Sequence, residues 1–177
     1  MDKLSSLTED DVAALRADVA AAKRKKTERR RSKRDGWLAR CLLDDRNRII
    51  ANLANVAAIL KQAFDFHWVG FYRTTAPRLL TVGPYQGDLA CVEIPFDKGV
   101  CGAAARTQKT VIVPDVEEFP GHIACSNRSR SEIVVPFVMD GETRFVLDID
   151  SDKLADFDET DRVHLEKLVT VIGNASR

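Results

Sequence analysis

The sequence lacks the long apolar segments that membrane insertion and secretion require. Its uninterrupted apolar runs are short, such as residues 56–60, whereas a helix that crosses a bilayer needs about 20 apolar residues. The first residues include Asp2, Glu9, Asp10 and Asp11 and contain no apolar core of a signal peptide. We therefore expect no transmembrane helix, no secretory signal and a cytoplasmic location.

The sequence also lacks net charge, because 27 basic residues balance 27 acidic ones. The charges are unevenly distributed along the chain. Residues 23–34 carry nine basic residues and one acidic residue, whereas residues 35–177 carry 16 basic and 21 acidic residues. An acidic domain does not suit nucleic-acid binding through its folded surface. The basic run fits a solvated helical face, a nuclear-targeting signal or a weak anion-binding segment, so a nuclear location stays open.

The length of 177 residues, with 45% hydrophobic and 31% charged residues, is enough to enclose one globular core. Residues 8–33 are rich in Ala and Arg and have acidic residues in the first turn, which predicts a long, exposed helix. We therefore predict a basic N-terminal helical extension over residues 1–36 and one folded domain over residues 37–177.

The hydrophobic pattern of the folded domain predicts an α+β fold. Apolar residues at helical spacing predict helices over residues 37–64 and 158–175, and alanine-rich sequence predicts a short helix over residues 99–108. Segments 84–98 and 114–130 are predicted loops. Hairpin-joined strands need no crossover helices, so the sheet should be mainly antiparallel. Five strands are predicted, at residues 66–74, 79–82, 110–113, 132–139 and 143–150, with a hairpin turn at Asp140-Gly141.

The cysteines are few, and their spacing argues against zinc. Cys41 lies on the apolar stripe of a predicted helix and is expected in the core. Cys91, Cys101 and Cys125 lie in the loop-rich middle third, with nine and 23 residues between them, whereas zinc sites usually pair cysteines two to four residues apart. His122 and Cys125 form one close pair without a second, so we expect no metal.

A thiol redox centre is the remaining functional interpretation. Cys101 lies at the start of the predicted short helix, where the helix dipole favours a thiolate. Cys125 lies close in sequence to His122, Arg128 and Arg130. Either thiol could therefore have a lowered pKa, and His122 is a weak candidate for tuning Cys125.

Six segments together resemble the free methionine-(R)-sulfoxide reductases, over about residues 37–175. That family has the GAF fold, so the resemblance implies a GAF catalytic domain over residues 37–177, with about six mainly antiparallel strands and flanking helices. It also implies a homodimer without a cofactor that reduces free L-methionine (R)-S-oxide to L-methionine, with a thioredoxin-type protein as reductant. The segments are His67-Trp68-Val69-Gly70-Phe71-Tyr72, Gly83-Pro84-Tyr85-Gln86-Gly87 with Ala90-Cys91, Gly99-Val100-Cys101-Gly102-Ala103-Ala104, residues 119–125, Ser131-Glu132-Ile133-Val134-Val135-Pro136 and Leu147-Asp148-Ile149-Asp150-Ser151.

The resemblance also implies roles for the three cysteines. Cys125 would be the nucleophile and Cys91 the resolving thiol, with Cys101 as an auxiliary or alternative redox cysteine. The thiolate would attack the sulfoxide sulfur, and the resulting sulfenic acid would condense with a second thiol to a disulfide.

A substrate pocket is implied at five further residues. Trp68 and Tyr72 would form an apolar wall for the S-methyl group, while Glu132, Asp148 and Asp150 would pair the ammonium group or protonate the sulfoxide oxygen. Backbone amides of residues 100–102, at a helix start, would suit the substrate carboxylate. From the residues alone, the aromatic pair could equally be core, and the two aspartates could be solvated acids on an outer face.

Two other function classes remain open. The GAF fold also suits a non-catalytic sensor that binds a small ligand or responds to redox state. A third hypothesis is a nucleic-acid adaptor that acts through residues 23–34.

Overall fold

The computed structural model describes residues 49–123, 125 and 128–174. The predicted helix over residues 8–33, the domain boundary at residue 36, and the start of the predicted helix 37–64 with Cys41 lie outside the described residues. The elements, in chain order, are α1 (Ile49–Phe64), β1 (Trp68–Ala76), β2 (Leu79–Gln86), β3 (Glu93–Pro95), α2 (Gly99–Thr107), β4 (Val111–Val113), a 3-10 turn (Val116–Glu118), β5 (Ser131–Met139), β6 (Glu142–Ser151) and α3 (Glu159–Asn174).

The six strands form one sheet in the order β3-β2-β1-β6-β5-β4, and every neighbouring pair is antiparallel. The hairpins β1–β2 and β5–β6 place β1 and β6 side by side at the centre. Asp140 and Gly141 both have positive φ, 54° and 75°, as a two-residue turn of type I′ requires. The predicted α+β class and the hairpin at Asp140-Gly141 are confirmed.

The segment predicted as a loop over residues 84–98 is partly strand, so that prediction is wrong in part. β2 continues to Gln86, because Gly70 and Val69 of β1 pair with its last residues. Pro84 is tolerated there because β3 pairs only with residues 79–81 of β2, which leaves the outer edge open beside the proline. β3 itself has three residues, too few for an alternating pattern to be recognised in the sequence.

Helices α1 and α3 cover one face of the sheet. The predicted apolar stripe of α1 is confirmed, since Leu53, Val56 and Leu60 are 0–1% exposed. α3 begins after Asp158, whose side chain accepts a hydrogen bond from the Thr160 amide at 2.6 Å and so caps the helix. The predicted short and closing helices are both present.

The opposite face of the sheet packs against α2. Cys101 and Ala104 of this helix form a buried cluster with Val134 of β5 and Val146 of β6. The loops on either side of α2 extend the cover toward the ends of β1 and β6. No helix in the described ranges combines the length and hydrophobicity that spanning a membrane requires.

Candidate active site

Three carboxyl groups share the face of the sheet that α2 covers. Asp150 of β6 lies directly opposite Glu132 of β5 on one side and Trp68 of β1 on the other. Asp148 points to the same side, since successive residues of a strand alternate between faces. Glu132 and Asp148 are each 6% exposed, and Asp150 is half-buried. The two aspartates therefore line a covered pocket rather than a solvated surface.

An aromatic wall stands beside the carboxyl groups. The rings of Trp68 and Tyr72 are stacked with centroids 5.9 Å apart, and the rings of Trp68 and Tyr85 are stacked with centroids 5.2 Å apart. Gly70 lies between the first two in β1, and a Cβ there would come within 2.6 Å of the indole and 2.3 Å of the Tyr85 Cβ. Because Gly70 has no side chain, the Trp68 indole can lie against the strand at this position. The indole Nε1 donates a hydrogen bond to the Asp88 carbonyl at 3.1 Å, so the one polar atom of this buried ring is paired.

Cys101 lies in the first turn of α2 and is 2% exposed. Its Sγ atom lies within 4.8 Å of carboxyl oxygens of Asp148 and Glu132. Burial raises the pKa of the Cys101 thiol well above its usual value, and the charges of Asp148 and Glu132 raise it further. The lowered pKa expected from the helix start is therefore wrong for Cys101, because burial and two facing carboxyl groups outweigh the helix dipole.

The carboxyl groups themselves have raised pKa values. Burial raises the pKa of Asp148 to about 6, although hydrogen bonds with Cys101 and Glu132 oppose the change. Burial, followed by the charges of Asp148 and Asp150, raises the pKa of Glu132 well above its usual range. Burial and the charge of Asp148 do the same for Asp150, while a hydrogen bond from Ser129 opposes it. The pocket can therefore hold carboxylic protons near neutral pH, as a general acid requires.

Cys91 and Cys125 are joined in a disulfide with Cα atoms 5.4 Å apart. Cys91 lies between β2 and β3, and Cys125 lies between the 3-10 turn and β5. The Cys125 amide donates a hydrogen bond to the Ile123 carbonyl at 2.9 Å. Cys125 lines the pocket, and Cys91 reaches it only through the disulfide. The lowered pKa expected for the Cys125 thiol stays a prediction.

The structure thus brings the sequence-predicted site residues together. All of them except Cys91 line one pocket with several residues that the sequence did not single out. The lining residues are Trp68, Tyr72, Leu89, Ala90, Ile94, Gly99, Val100, Cys101, His122, Ile123, Cys125, Ser129, Glu132, Asp148 and Asp150.

Ser129 and Leu89 are the clearest of the pocket residues that sequence reasoning missed. Ser129 carries the hydroxyl group beside Asp150, and Leu89 is 85% exposed at the rim. Neither lies in a periodic segment, so no pattern marked them. His122 lines the pocket with a buried Nδ1 atom that has no hydrogen-bond partner among the described residues. Burial lowers the pKa of His122, and its proposed effect on Cys125 stays a prediction.

Cys101, Glu132 and Asp148 form a cluster that cysteine spacing could not reveal. Their ligand-type atoms lie within 4.8 Å of one another, close enough to hold a metal ion. Metal binding requires deprotonated ligands, and the raised pKa values of the three groups oppose that state. The arrangement favours shared protons, and the expected absence of a metal stays a prediction.

Comparison with known proteins gives a consistent picture. A family model described as GAF domain matches residues 53–176. The chain is 52% identical over 133 residues to GAF domain-containing protein A of Dictyostelium discoideum, covering 75% of this chain and 84% of that protein. It is 46% identical over 134 residues to the free methionine-R-sulfoxide reductase of Saccharomyces cerevisiae, covering 71% and 74%.

A solved structure agrees with these relatives. The X-ray structure of free methionine-R-sulfoxide reductase from Neisseria meningitidis, in complex with its substrate, is 48% identical and superposes with a TM-score of 0.75. The match covers 78% of this chain and 83% of the other.

Proposed function

The chain belongs to the free methionine-R-sulfoxide reductase family of GAF-domain proteins, and from this we propose that it reduces free L-methionine (R)-S-oxide to L-methionine. The observation that carries the proposal is one pocket lined by Cys125, by three carboxyl groups of which two are buried, and by an aromatic wall. Sulfoxide reduction needs these groups together, because a thiolate must attack sulfur while an acid protonates the sulfoxide oxygen.

The first chemical step involves Cys125. Its thiolate attacks the sulfoxide sulfur and forms an S–S bond while a carboxylic acid of the pocket protonates the oxygen. The oxygen then bonds to the Cys125 sulfur, and the S–S and S–O bonds to the substrate sulfur break. Methionine leaves with a reduced sulfur, and Cys125 is left as a sulfenic acid that holds the oxygen. Glu132, Asp148 and Asp150 are the candidate acids, since burial raises the pKa of each.

The second step involves Cys91. Its thiol condenses with the Cys125 sulfenic acid, which releases water and forms the disulfide between the two residues. An external dithiol then reduces this disulfide. We propose a thioredoxin-type protein for this role, which fits the cytoplasmic location expected from the sequence.

The free amino acid also brings an ammonium and a carboxylate into the pocket. Carboxylates among Glu132, Asp148 and Asp150 can pair with the ammonium group. The first-turn amides of α2 suit the substrate carboxylate, because Lys98 at the N-cap makes no side-chain capping hydrogen bond. Trp68 and Tyr72 form the apolar wall for the S-methyl group.

A stereospecific assay tests the function. Purified protein with dithiothreitol should convert the R epimer of free methionine sulfoxide and leave the S epimer unchanged. Absence of turnover with the R epimer would refute the reductase, and retained binding of methionine in the same protein would favour a GAF sensor. Turnover with thioredoxin and its reductase tests the proposed reductant, and sedimentation analysis tests the proposed homodimer.

Single-turnover experiments separate the cysteines. Cys125→Ser should release no methionine, whereas Cys91→Ser should release about one methionine per active site, because its nucleophile is intact. Cys101→Ser serves as the comparison. If Cys125→Ser retains a full first turnover and Cys101→Ser does not, the nucleophile is Cys101.

A further inference from the structure

Asp88 and Arg128 connect the same two segments of chain that the disulfide connects. Asp88 lies three residues before Cys91, and Arg128 lies three residues after Cys125. The Arg128 Nη1 atom lies 3.6 Å from the Asp88 Oδ2 atom. An ion pair therefore links the two segments in addition to the disulfide.

The segment that carries Asp88 is held against the aromatic wall. The Trp68 indole donates its hydrogen bond to the Asp88 backbone carbonyl, which no side-chain substitution removes. Gly87 has φ of 138°, and a Cβ there would lie 2.6 Å from the Trp68 Cδ1 atom. This close packing fixes the backbone at residues 87 and 88, so the Asp88 carboxylate is presented to Arg128 from a fixed position.

A histidine also lies near this carboxylate. The His67 Nε2 atom is 3.7 Å from Asp88 Oδ2, and the His67 side chain is buried. Burial lowers the pKa of His67, and the charge of Arg128 lowers it further while Asp88 opposes the change. At neutral pH the cation that faces Asp88 is therefore Arg128.

We propose that Asp88 and Arg128 are positioning residues for disulfide formation. Their ion pair keeps the Cys91 and Cys125 segments adjacent after the disulfide has been reduced, and so raises the effective concentration of the Cys91 thiol at Cys125. The inference rests on the thiol chemistry of the proposed function. In the step concerned, the Cys91 thiolate attacks the sulfur of the Cys125 sulfenic acid. The S–S bond forms as the S–O bond breaks, and the oxygen leaves as water after protonation. The Cys91 thiol is oxidised and the sulfenic sulfur is reduced, so no further oxidant is needed.

The expected effect is small and measurable. The Arg128 and Asp88 side chains are 60% and 56% exposed, and an exposed ion pair changes an equilibrium by roughly two- to fivefold. Thermodynamic coupling is reciprocal. The free energy by which the ion pair favours disulfide formation therefore equals the free energy by which the disulfide favours the ion pair.

A charge swap tests the proposal. We expect Asp88→Lys and Arg128→Glu each to slow disulfide formation by roughly two- to fivefold, and Asp88→Lys to leave the first release of methionine unchanged. The double variant should recover the wild-type rate. Arg144→Glu is the control, since Arg144 pairs with Asp140 and Glu142 near the β5–β6 turn. Added salt should slow disulfide formation in the wild type and have little effect in the neutral variants Asp88→Asn and Arg128→Gln.

Glutathione redox buffers give a readout that needs no substrate. The effective concentration of the Cys91–Cys125 dithiol should fall by roughly two- to fivefold in either single variant and recover in the double variant. Unchanged values in the single variants, or a double variant no better than either, would overturn the proposal. A wild-type protein that forms the disulfide in these buffers and releases no methionine would instead refute the reductase function.

Discussion

The Cys101 Sγ atom and a carboxyl oxygen of Asp148 lie within 4.8 Å of each other inside the pocket. This contact sets Cys101 apart from the other pocket cysteine, Cys125, because its thiol is buried beside groups that oppose its ionisation. The two cysteines therefore differ in chemistry although both lie close to the bound substrate in the proposed mechanism.

Cys101 should resist alkylation in the folded, reduced protein. Thiolates react with iodoacetamide and thiols do not, and burial holds the pKa of Cys101 above its usual range. At pH 7.5 we expect labelling of Cys91 and Cys125 before Cys101, measured by peptide mass spectrometry. Unfolding in urea should make all three react alike, and early labelling of Cys101 in the folded protein would contradict the expectation.

Stability should fall as pH rises through the range in which the buried carboxyl groups ionise. The folded-state pKa of Asp148 is about 6, against 3.8 as its ordinary value, so the folded protein binds this proton more tightly than the unfolded chain. The advantage is present below about pH 4 and lost as pH rises through about 6. Glu132 and Asp150 shift in the same direction and extend the loss to higher pH.

Asp148→Asn should therefore stabilise the domain at pH 8, by about 1–3 kcal/mol. Urea unfolding at pH 5 and pH 8 measures the effect, which should be smaller at pH 5. Glu142→Gln is the control, since its carboxylate is exposed. An equal gain at both pH values would mean that ionisation is not the cause.

Replacing the proton donor should lower the rate of the first turnover. General acids contribute about 10²–10⁴-fold, so one of Glu132→Gln, Asp148→Asn and Asp150→Asn should lose on that order in single-turnover methionine release. The wild-type rate should fall at alkaline pH as the donor ionises, and the deficient variant should lose that limb of its pH profile. Near wild-type kinetics in all three variants would refute the assigned contacts.

Gly70→Ala should disturb the aromatic wall. The added Cβ would overlap the Tyr85 Cβ and the Trp68 ring, which requires movement of one of them and costs about 1–3 kcal/mol. We expect a raised KM for methionine sulfoxide and a lower unfolding temperature. Gly141→Ala is the comparison, since a Cβ there has open space; its positive φ should cost stability without a change in KM.

The sequence pattern predicted which site residues share a strand face. It did not predict which distant segments cover that face. The period of a strand placed Asp148 and Asp150 on one face without showing whether that face is covered. Burial depends on α2, which packs on the sheet through residues distant in the chain: Ala104 of α2 and Val134 of β5 belong to one buried cluster. The resemblance to a known family, rather than periodicity, identified the pair as pocket residues.

Cys101 illustrates the same limit in its electrostatics. A helix start is a local feature, and by itself it favours a thiolate. Burial beneath the sheet, and then the charges of Asp148 and Glu132 from strands much later in the chain, reverse the direction of the pKa change. Strand β3 is a similar case, since it has three residues and lies at the sheet edge. It forms because it pairs with β2, and its own sequence pattern does not predict it.

The strand order shows that the disulfide joins segments that belong to the two halves of the sheet. Strands β1–β3 form one half of the sheet and β4–β6 the other, and Cys91 belongs to the first half whereas Cys125 precedes β5 in the second. A cross-link over a separation of 34 residues restricts the unfolded chain by about 3–4 kcal/mol. The disulfide form should therefore unfold less readily than the reduced form and should be more resistant to proteases. In the proposed cycle, a lack of reductant would therefore leave the protein in its more stable, inactive disulfide form.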